Sequence, residues 1–477
     1  MAIAASFRLL GSLLTGKLCG GGLPDFSQVA LSLTLTHPAE QGLGSILDNA
    51  SMATQGIGHL RLAARAGALA ATMVRHGTAF LTDSLRYWIT HGDESPNRTY
   101  RRLVPMLVDL GPTFVKGGQL LSTRHDLLGP ELCETLAELY DRVHPMTVRQ
   151  ARSVVEQAYR PGSGWPFAEF DWTPVASGSI ACVYRAKLWD GRPVAVKVRR
   201  PAIQERMLAD FALLSKGARA VSLMPAMHKV PARRMVDQLG FAVLRQLDLN
   251  AEAAALAELR ANLTGLTYFR IPEPLPGFSC DGVLVMEYLD GLGRFSPGEM
   301  PRYQRREIVR RVLHGVYQML FLDGLVHCDM HPGNLCLTPD AEVVLLDAGF
   351  VVRLPPVVKR LFAEFFLNMS LGRGDECAEV VLRSSEHVPA DADLDAFRDG
   401  IRDLIASAHR ATAGRFRLAP FAARLFDLQR RSGIAAAPEF VFPLISLLVL
   451  EGMINEFDVD VDFQGEAIPT LLTALRR

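Results

Sequence analysis

The sequence predicts an α+β fold of two lobes with a helical N-terminal extension. Three observations carry that expectation. The first third is Ala- and Leu-rich with helical spacing of its apolar residues, and the pattern then changes to strands after PGSGWP (Pro161 to Pro166). Helices return from about Tyr303, interrupted by one hairpin-like stretch, NLCLTPDAEVVLLDAG (Asn334 to Gly349). With 477 residues the chain is long enough to bury a sizeable core.

From about Gly58 to Trp88 the spacing predicts an amphipathic helix in which Arg61, Arg65, Arg75 and Arg86 interrupt apolar positions; a membrane-surface helix is the alternative. THGDESPNRTY, residues 90 to 100, gathers turn formers and reads as a linker. The expected domains are a helical extension over 1–99, a helical segment over 100–165, a strand-rich lobe over 166–291 and a mainly helical lobe over 292–477. In the strand-rich lobe, TPVASGSIACVYRAKLWDGRPVAVKVRRP reads as three strands, the last ending at Val198. A helical section over roughly 201–262 and the short strand VLVMEYLDG follow.

Lys+Arg and Asp+Glu both number 51, so no global basic field argues for a nucleic-acid partner. The 7 cysteines are odd in number and lack CxxC spacing, which fits a reducing compartment: the cytoplasm, or the inner face of a membrane as a peripheral protein. The N-terminal apolar stretch is broken by Arg8 and Lys17, and FVFPLISLLVL (Phe440 to Leu450) is about half the length of a span, so the latter is expected as a core helix.

HCDMHPGNL, His327 to Leu335, concentrates coordinating groups around a Pro-Gly turn. A polar turn, a zinc site and a loop handling phosphate with magnesium are the competing readings. Leu335–Thr338 and Val343–Leu346 should pair as a hairpin, which brings Asn334 at its opening next to Asp347 at its close, with Asp329 one tight loop away. Magnesium takes one or two carboxylates plus phosphate oxygens and water, and D-x-x-x-x-N followed by D-x-G is a kinase spacing in which the Asn and last Asp hold metal. Zinc would draw on His327, Cys328, His331 and Cys336 but leaves Asn334 and Asp347 without a role.

A phosphoryl-transfer site also needs a strand lysine and a phosphate-covering turn. VAVKV supplies Lys197, whose ammonium requires an anionic partner if buried; Glu252 in QLDLNAEAAAL is the candidate, with Asp248 one helical turn before it. The turn at Ala176, Ser177, Gly178 and Ser179 offers backbone N–H groups and hydroxyls to phosphate, although it is not a GxGxxG loop.

These motifs, in this order, resemble the UbiB/ADCK (AarF) family of atypical protein-kinase-like proteins. GPTFVKGGQLLSTRHDLLG carries a KxGQ signature at Lys116, Gly118 and Gln119, ASGSIACVYRA resembles the family's alanine-rich loop, and QLDLNAE its ExD region. HCDMHPGN resembles the catalytic loop, LLDAG the metal-binding triplet, and LLVLEGMINEFDVDVDF the closing helix. The resemblance implies a bilobed protein-kinase-like fold, ATP or ADP with Mg2+ as cofactors, kinase or ATPase activity, and partners among isoprenoid lipids or quinone-biosynthesis proteins. It implies Asp329, Lys197 and Glu252 as catalytic residues and Asn334 and Asp347 as metal ligands. Residues 176–179, Lys197, Glu287, Asn334 and Asp347 then bind the nucleotide, and Lys116, Gln119, Gln246 and Asp248 cover the cleft. The C-terminal membrane helices of some relatives are expected to be absent.

Three positions depart from the family pattern: Gln246 stands for the ExD glutamate, Gly178 for an alanine, and Ala348 for the phenylalanine of DFG. The competing functions are a small-molecule phosphotransferase, which shares H-x-D-x-H-x-x-N but not the KxGQ segment, and a non-enzymatic nucleotide-gated scaffold.

Overall fold

The computed structural model describes residues 59–91, 96–122, 130–140, 143–159, 164–222, 243–294, 300–330, 332–409, 417–436, 441–457 and 461–476, together with Val236 and Gly240. The extension comprises α1 (His59–His91), α2 (Pro96–Leu110), α3 (Pro112–Ser122) and α4 (Pro130–Ala137). The expected linker is therefore short. α1 runs to His91 and α2 begins at Pro96, because proline is preset for the first helical position, where no N–H is needed.

After α5 (Val148–Ala158), a capping box at Thr147 and Gln150 fixes the helix start, and the chain enters β1 (Phe167–Ser177), β2 (Ala181–Leu188) and β3 (Pro193–Arg199). β5 (Val283–Glu287) completes an antiparallel sheet in the order β1-β2-β3-β5. Strand alternation decides what this sheet can do. Val194, Val196 and Val198, with Val283 and Val285, pack beneath Ala151 and Val155 of α5. Ala195, Leu284 and Met286 join the second core instead, so Lys197, two residues after Ala195, lies on the face toward α7 (Leu249–Asn262). The expected helical section divides into α6 (Ile203–Ser222) and α7; residues 223–235, 237–239 and 241–242 of it lie outside the described residues.

The other lobe is built on α8 (Arg302–Tyr317), which widens into a π-helical turn at Gln318–Asp323 and stops at Gly324. Gly324 has φ 73°, a left-handed conformation that glycine adopts without a Cβ penalty, and its N–H closes on Met319 O at 2.8 Å. The chain then turns into β7 (Leu325–His327), paired antiparallel with β10 (Val351–Arg353). Between them lies the expected hairpin, β8 (Leu335–Leu337) on β9 (Val343–Leu345), in register Leu335 to Leu345. β4 (Phe269–Arg270) and β6 (Gly293–Arg294) flank it.

Helices α9 (Pro356–Ser370), α10 (Gly374–Arg383), α11 (Leu394–His409), α12 (Leu418–Arg431), α13 (Val441–Glu456) and α14 (Phe463–Arg476) close the core, with β11 (Ser385–His387) and β12 (Ala435–Ala436) as a small pair. α13 carries the expected core helix, with Leu447, Leu450 and Met453 fully buried. Among the described residues no helix is long and apolar enough to cross a membrane, and the six described cysteines are free.

Candidate active site

Three charged side chains from three elements meet at Lys197. Its Nζ lies 2.6 Å from Glu252 Oε1 and 2.6 Å from Asp347 Oδ2. The partnership with α7 follows from helical spacing: Glu252 falls on the buried stripe of Leu249, Leu256 and Leu259, and that stripe shares a core with Ala195 of β3 and with Leu284 and Met286 of β5. Asp347 arrives from the end of the hairpin, where Leu346 N donates to Asn334 O at 3.1 Å.

The electrostatics follow from this geometry. Burial alone would depress the Lys197 ammonium, but the Asp347 and Glu252 carboxylates more than reverse that and hold it above its ordinary value. Burial also opposes ionisation of Asp347, yet Lys197 and the Gly349 N–H, 2.8 Å from its Oδ1, keep its carboxyl well below the usual range. Glu252 goes the other way. Burial, reinforced by the Asp347 charge, outweighs Lys197 and pushes it up to about 7, and its Oε2 is buried without a hydrogen bond.

The HCD segment is organised by a histidine. Asp329 N–H donates to His327 Nδ1 at 3.2 Å, so Nδ1 is unprotonated, and Nε2 must carry the hydrogen that it directs to Asp347 O at 2.8 Å. Burial lowers the His327 pKa and keeps this neutral form. One imidazole thus ties the backbones of Asp329 and Asp347 together, and Ser446 anchors the His327 carbonyl at 2.9 Å. The competing zinc reading drew on His327; with both nitrogens bonded to backbone groups it has none to offer. Cys328 is buried, with its thiol pushed up by desolvation, and His331 lies outside the described residues. Among the described residues no group of three or more His, Cys, Asp or Glu could hold a metal.

The side chains that could hold a hard cation are instead those of Asn334 and Asp347. Asn334 Nδ2 donates to Asp329 O at 2.8 Å, which orients the amide and leaves its oxygen as the remaining acceptor. One amide oxygen and one ionised carboxylate fit magnesium when phosphate oxygens and water complete the shell. This donor set suits neither zinc nor a closed all-protein cage.

Asp329 is nearly buried and engaged. Lys116 on α3 donates to its Oδ2 at 3.1 Å. Gln119, one turn later, donates to Leu139 O at 3.2 Å and accepts from Ser179 Oγ at 3.5 Å, so the KxGQ helix spans from the HCD segment to the β1–β2 turn. Close approach is required for that. A Cβ on Gly118 would stand 2.4 Å from Leu139 Cδ1 and 3.2 Å from Leu107 Cδ1.

The remaining expected residues divide. Gln246 is buried, and its Cγ would lie 3.5 Å from a Cβ placed on Gly349, beside the DAG segment. Asp248 is exposed and caps α7, accepting the N–H groups of Asn250 and Ala251 at 3.0 Å. The Glu287 carboxylate is taken by Arg270 at 2.6 Å and Arg260 at 3.4 Å, in a cavity of about 190 Å³. Ser177, Gly178 and Ser179 stand at the β1–β2 turn directly after Ala176, with Gly178 N–H donating to Ala181 O at 2.8 Å.

Two groups escaped the sequence reading. Arg200, directly after β3, bonds to that turn, and nothing local in RRP announces it. Asp210 on α6 is fully buried and accepts two hydrogen bonds from Arg65 of α1, at 2.6 and 2.9 Å, and one from Thr113 of α3 at 2.6 Å. This network fixes the start of the helix that delivers Lys116.

The comparisons agree with this architecture. The ABC1 atypical kinase-like domain matches residues 138–381. "Probable protein kinase UbiB" of Aeromonas salmonicida is 32% identical over 373 residues, covering 76% of this chain and 68% of the relative. The protein of that name from Vibrio vulnificus is 32% identical over 379 residues, covering 78% and 69%. In fold, the chain is similar to Rv3197 of Mycobacterium tuberculosis, solved as an erythromycin complex, with a TM-score of 0.52 at 20% identity over 73% of this chain and 89% of that one. A chain matched over that domain and at that identity belongs to the ABC1 atypical kinase-like family of UbiB-type proteins.

Proposed function

We propose that this protein binds ATP or ADP with magnesium and acts as a UbiB-type atypical kinase or ATPase supporting isoprenoid-quinone or related lipid metabolism. The observation that carries the reading is the Lys197 ammonium held between Glu252 and Asp347 at 2.6 Å each. A buried cation aimed by a helix glutamate is placed to orient α- and β-phosphates. Asn334 and Asp347 would hold magnesium, which when bound neutralises charge on the phosphate oxygens.

The residues of the chain supply positioning. His327 keeps Asp329 and Asp347 in fixed relation through their backbones. Asp329 would orient an acceptor hydroxyl or a water molecule once Lys116 gives way. Because α3 lies over this carboxylate, the acceptor is proposed to be a small hydroxyl compound, a lipid headgroup or water rather than a folded peptide. The quinone link rests on the UbiB relatives and on the family resemblance, and peripheral membrane association belongs to the same proposal.

The Lys116–Asp329 pair also favours a second reading, a nucleotide-gated scaffold in which the acceptor carboxylate stays closed. Phosphate release separates the two. Turnover of Mg-ATP by the wild type that is lost in Asp329→Asn supports the enzyme; identical background rates in both support the scaffold.

A further inference from the structure

Arg200 makes more contacts to the phosphate-side turn than any position expected from the sequence. Its backbone N–H donates to Ile180 O at 2.9 Å, its Nε to Gly178 O at 3.0 Å and its Nη2 to Ser177 Oγ at 3.0 Å. The same Nη2 reaches His144 O at 2.6 Å, in the segment that leads into α5, and stands 3.6 Å from Cys182 Sγ. One arginine therefore fixes two carbonyls of a three-residue turn and anchors them to the chain entering the lobe.

The consequence lies on the other side of the peptide. In a trans peptide the C=O and the following N–H point in opposite directions. Holding Gly178 O on Arg200 therefore turns the Ser179 N–H away from it. The Gly178 N–H is used on Ala181 O, whereas the Ser179 and Ile180 N–H groups make no hydrogen bond among the described residues. The Ser179 hydroxyl, 3.5 Å from Gln119 Oε1, marks the cleft side of the turn. Successive free N–H groups of this kind form an anion-binding concavity. Gly178 makes the clamp necessary: a glycine leaves this turn many conformations that an external bond must remove.

Resting on the nucleotide reading above, we infer that Arg200 is a positioning residue for the phosphates: it orients the Gly178–Ser179 peptide so that the Ser179 N–H is presented to them. It acts through the backbone of the turn. Its effect must therefore depend on the phosphates of the ligand and be absent for the nucleoside.

The test titrates Mg-ADP and adenosine separately against the wild type, Arg200→Ala and Arg200→Lys, with melting temperatures measured alongside. The expected result is Mg-ADP binding weakened about tenfold in Arg200→Ala, the loss of roughly one charge-assisted contact, with adenosine affinity unchanged within about twofold. Arg200→Lys keeps the cation but cannot span Gly178 O and His144 O together, so it should fall between; if the alanine variant fails to fold, this variant decides by the same comparison. A Gly178→Ala background, in which a Cβ meets only Ala181 O at 3.4 Å, should reduce the loss. Unchanged Mg-ADP affinity, or an equal loss for ADP and adenosine, overturns the inference while leaving the nucleotide reading in place. Failure of the wild type to bind either ligand overturns both.

Discussion

Lys116 and Asp329, far apart in sequence, form an ion pair of 3.1 Å in which both side chains are largely withdrawn from solvent. Removing one partner of such a pair strands the other charge. Lys116→Met is expected to cost about 3 kcal/mol in chemical denaturation, and Asp329→Asn less, because the amide still accepts from Lys116. The double variant should lose no more than the worse single one, a coupling of about 2 kcal/mol. Strict additivity would show that the two residues do not act on each other in solution.

Glu252 makes stability depend on pH. Its carboxyl titrates near 4.5 when unfolded and is pushed up to about 7 in the fold, chiefly by burial. Between those values the folded chain retains a proton that the unfolded chain has released, so this group favours folding below about 4.5 and that contribution is lost as pH rises to about 7. His327 has the opposite sign: its lowered pKa makes stability rise with pH up to its ordinary value of 6.5. Denaturation midpoints measured without magnesium at pH 5 and pH 7.5 should show the advantage of wild type over Glu252→Gln shrinking as pH rises. A constant difference would mean that Glu252 keeps its solution pKa.

The seat of α3 can be tested sterically. A Cβ on Gly118 would stand 2.4 Å from Leu139 Cδ1, so Gly118→Ala should destabilise the protein by about 1–3 kcal/mol despite the better helix propensity of alanine. The penalty should shrink in a Leu139→Ala background, where the opposing methyl groups are gone. Equal penalties in both backgrounds would place the cause elsewhere.

Asp210 on α6 should prove to be the acid on which the seating of the extension most depends. It is fully buried and serves Arg65 and Thr113 together, so Asp210→Ala removes the carboxylate that neutralises the Arg65 guanidinium, which keeps Leu110 O at 2.7 Å, and takes the acceptor from the Thr113 hydroxyl, at a cost of about 3 kcal/mol. Hydrogen exchange should report faster opening of α3 in particular. Loss of stability spread evenly over the chain would argue against a local anchor.

What could be read from the sequence was whatever local pattern determines. The 335–345 hairpin follows from two short apolar runs around a turn, and pairing alone brings Asn334 beside the segment that carries Asp347. Period-two alternation places Lys197 on the face of β3 opposite its valines, and helical period places Glu252 toward it. The partners that depend on distant segments were not legible. Arg65 and Asp210 meet across 145 residues without any shared motif. Glu287 lies in the expected strand, which ends at it rather than running on to Gly291, and Arg270 and Arg260 take its carboxylate. His327 belonged to a visible motif, yet its task depends on which backbone groups face each nitrogen, and only the folded chain determines that.

Calorimetric titration of Mg-ADP into the wild type and Asp347→Asn tests the site most directly. The expected result is saturable binding by the wild type, with a raised melting temperature that EDTA abolishes, and no measurable binding by the variant while its circular dichroism stays native. Equal binding by both proteins, or none by a folded wild type, would contradict the assignment of Lys197, Glu252 and Asp347 as a nucleotide site.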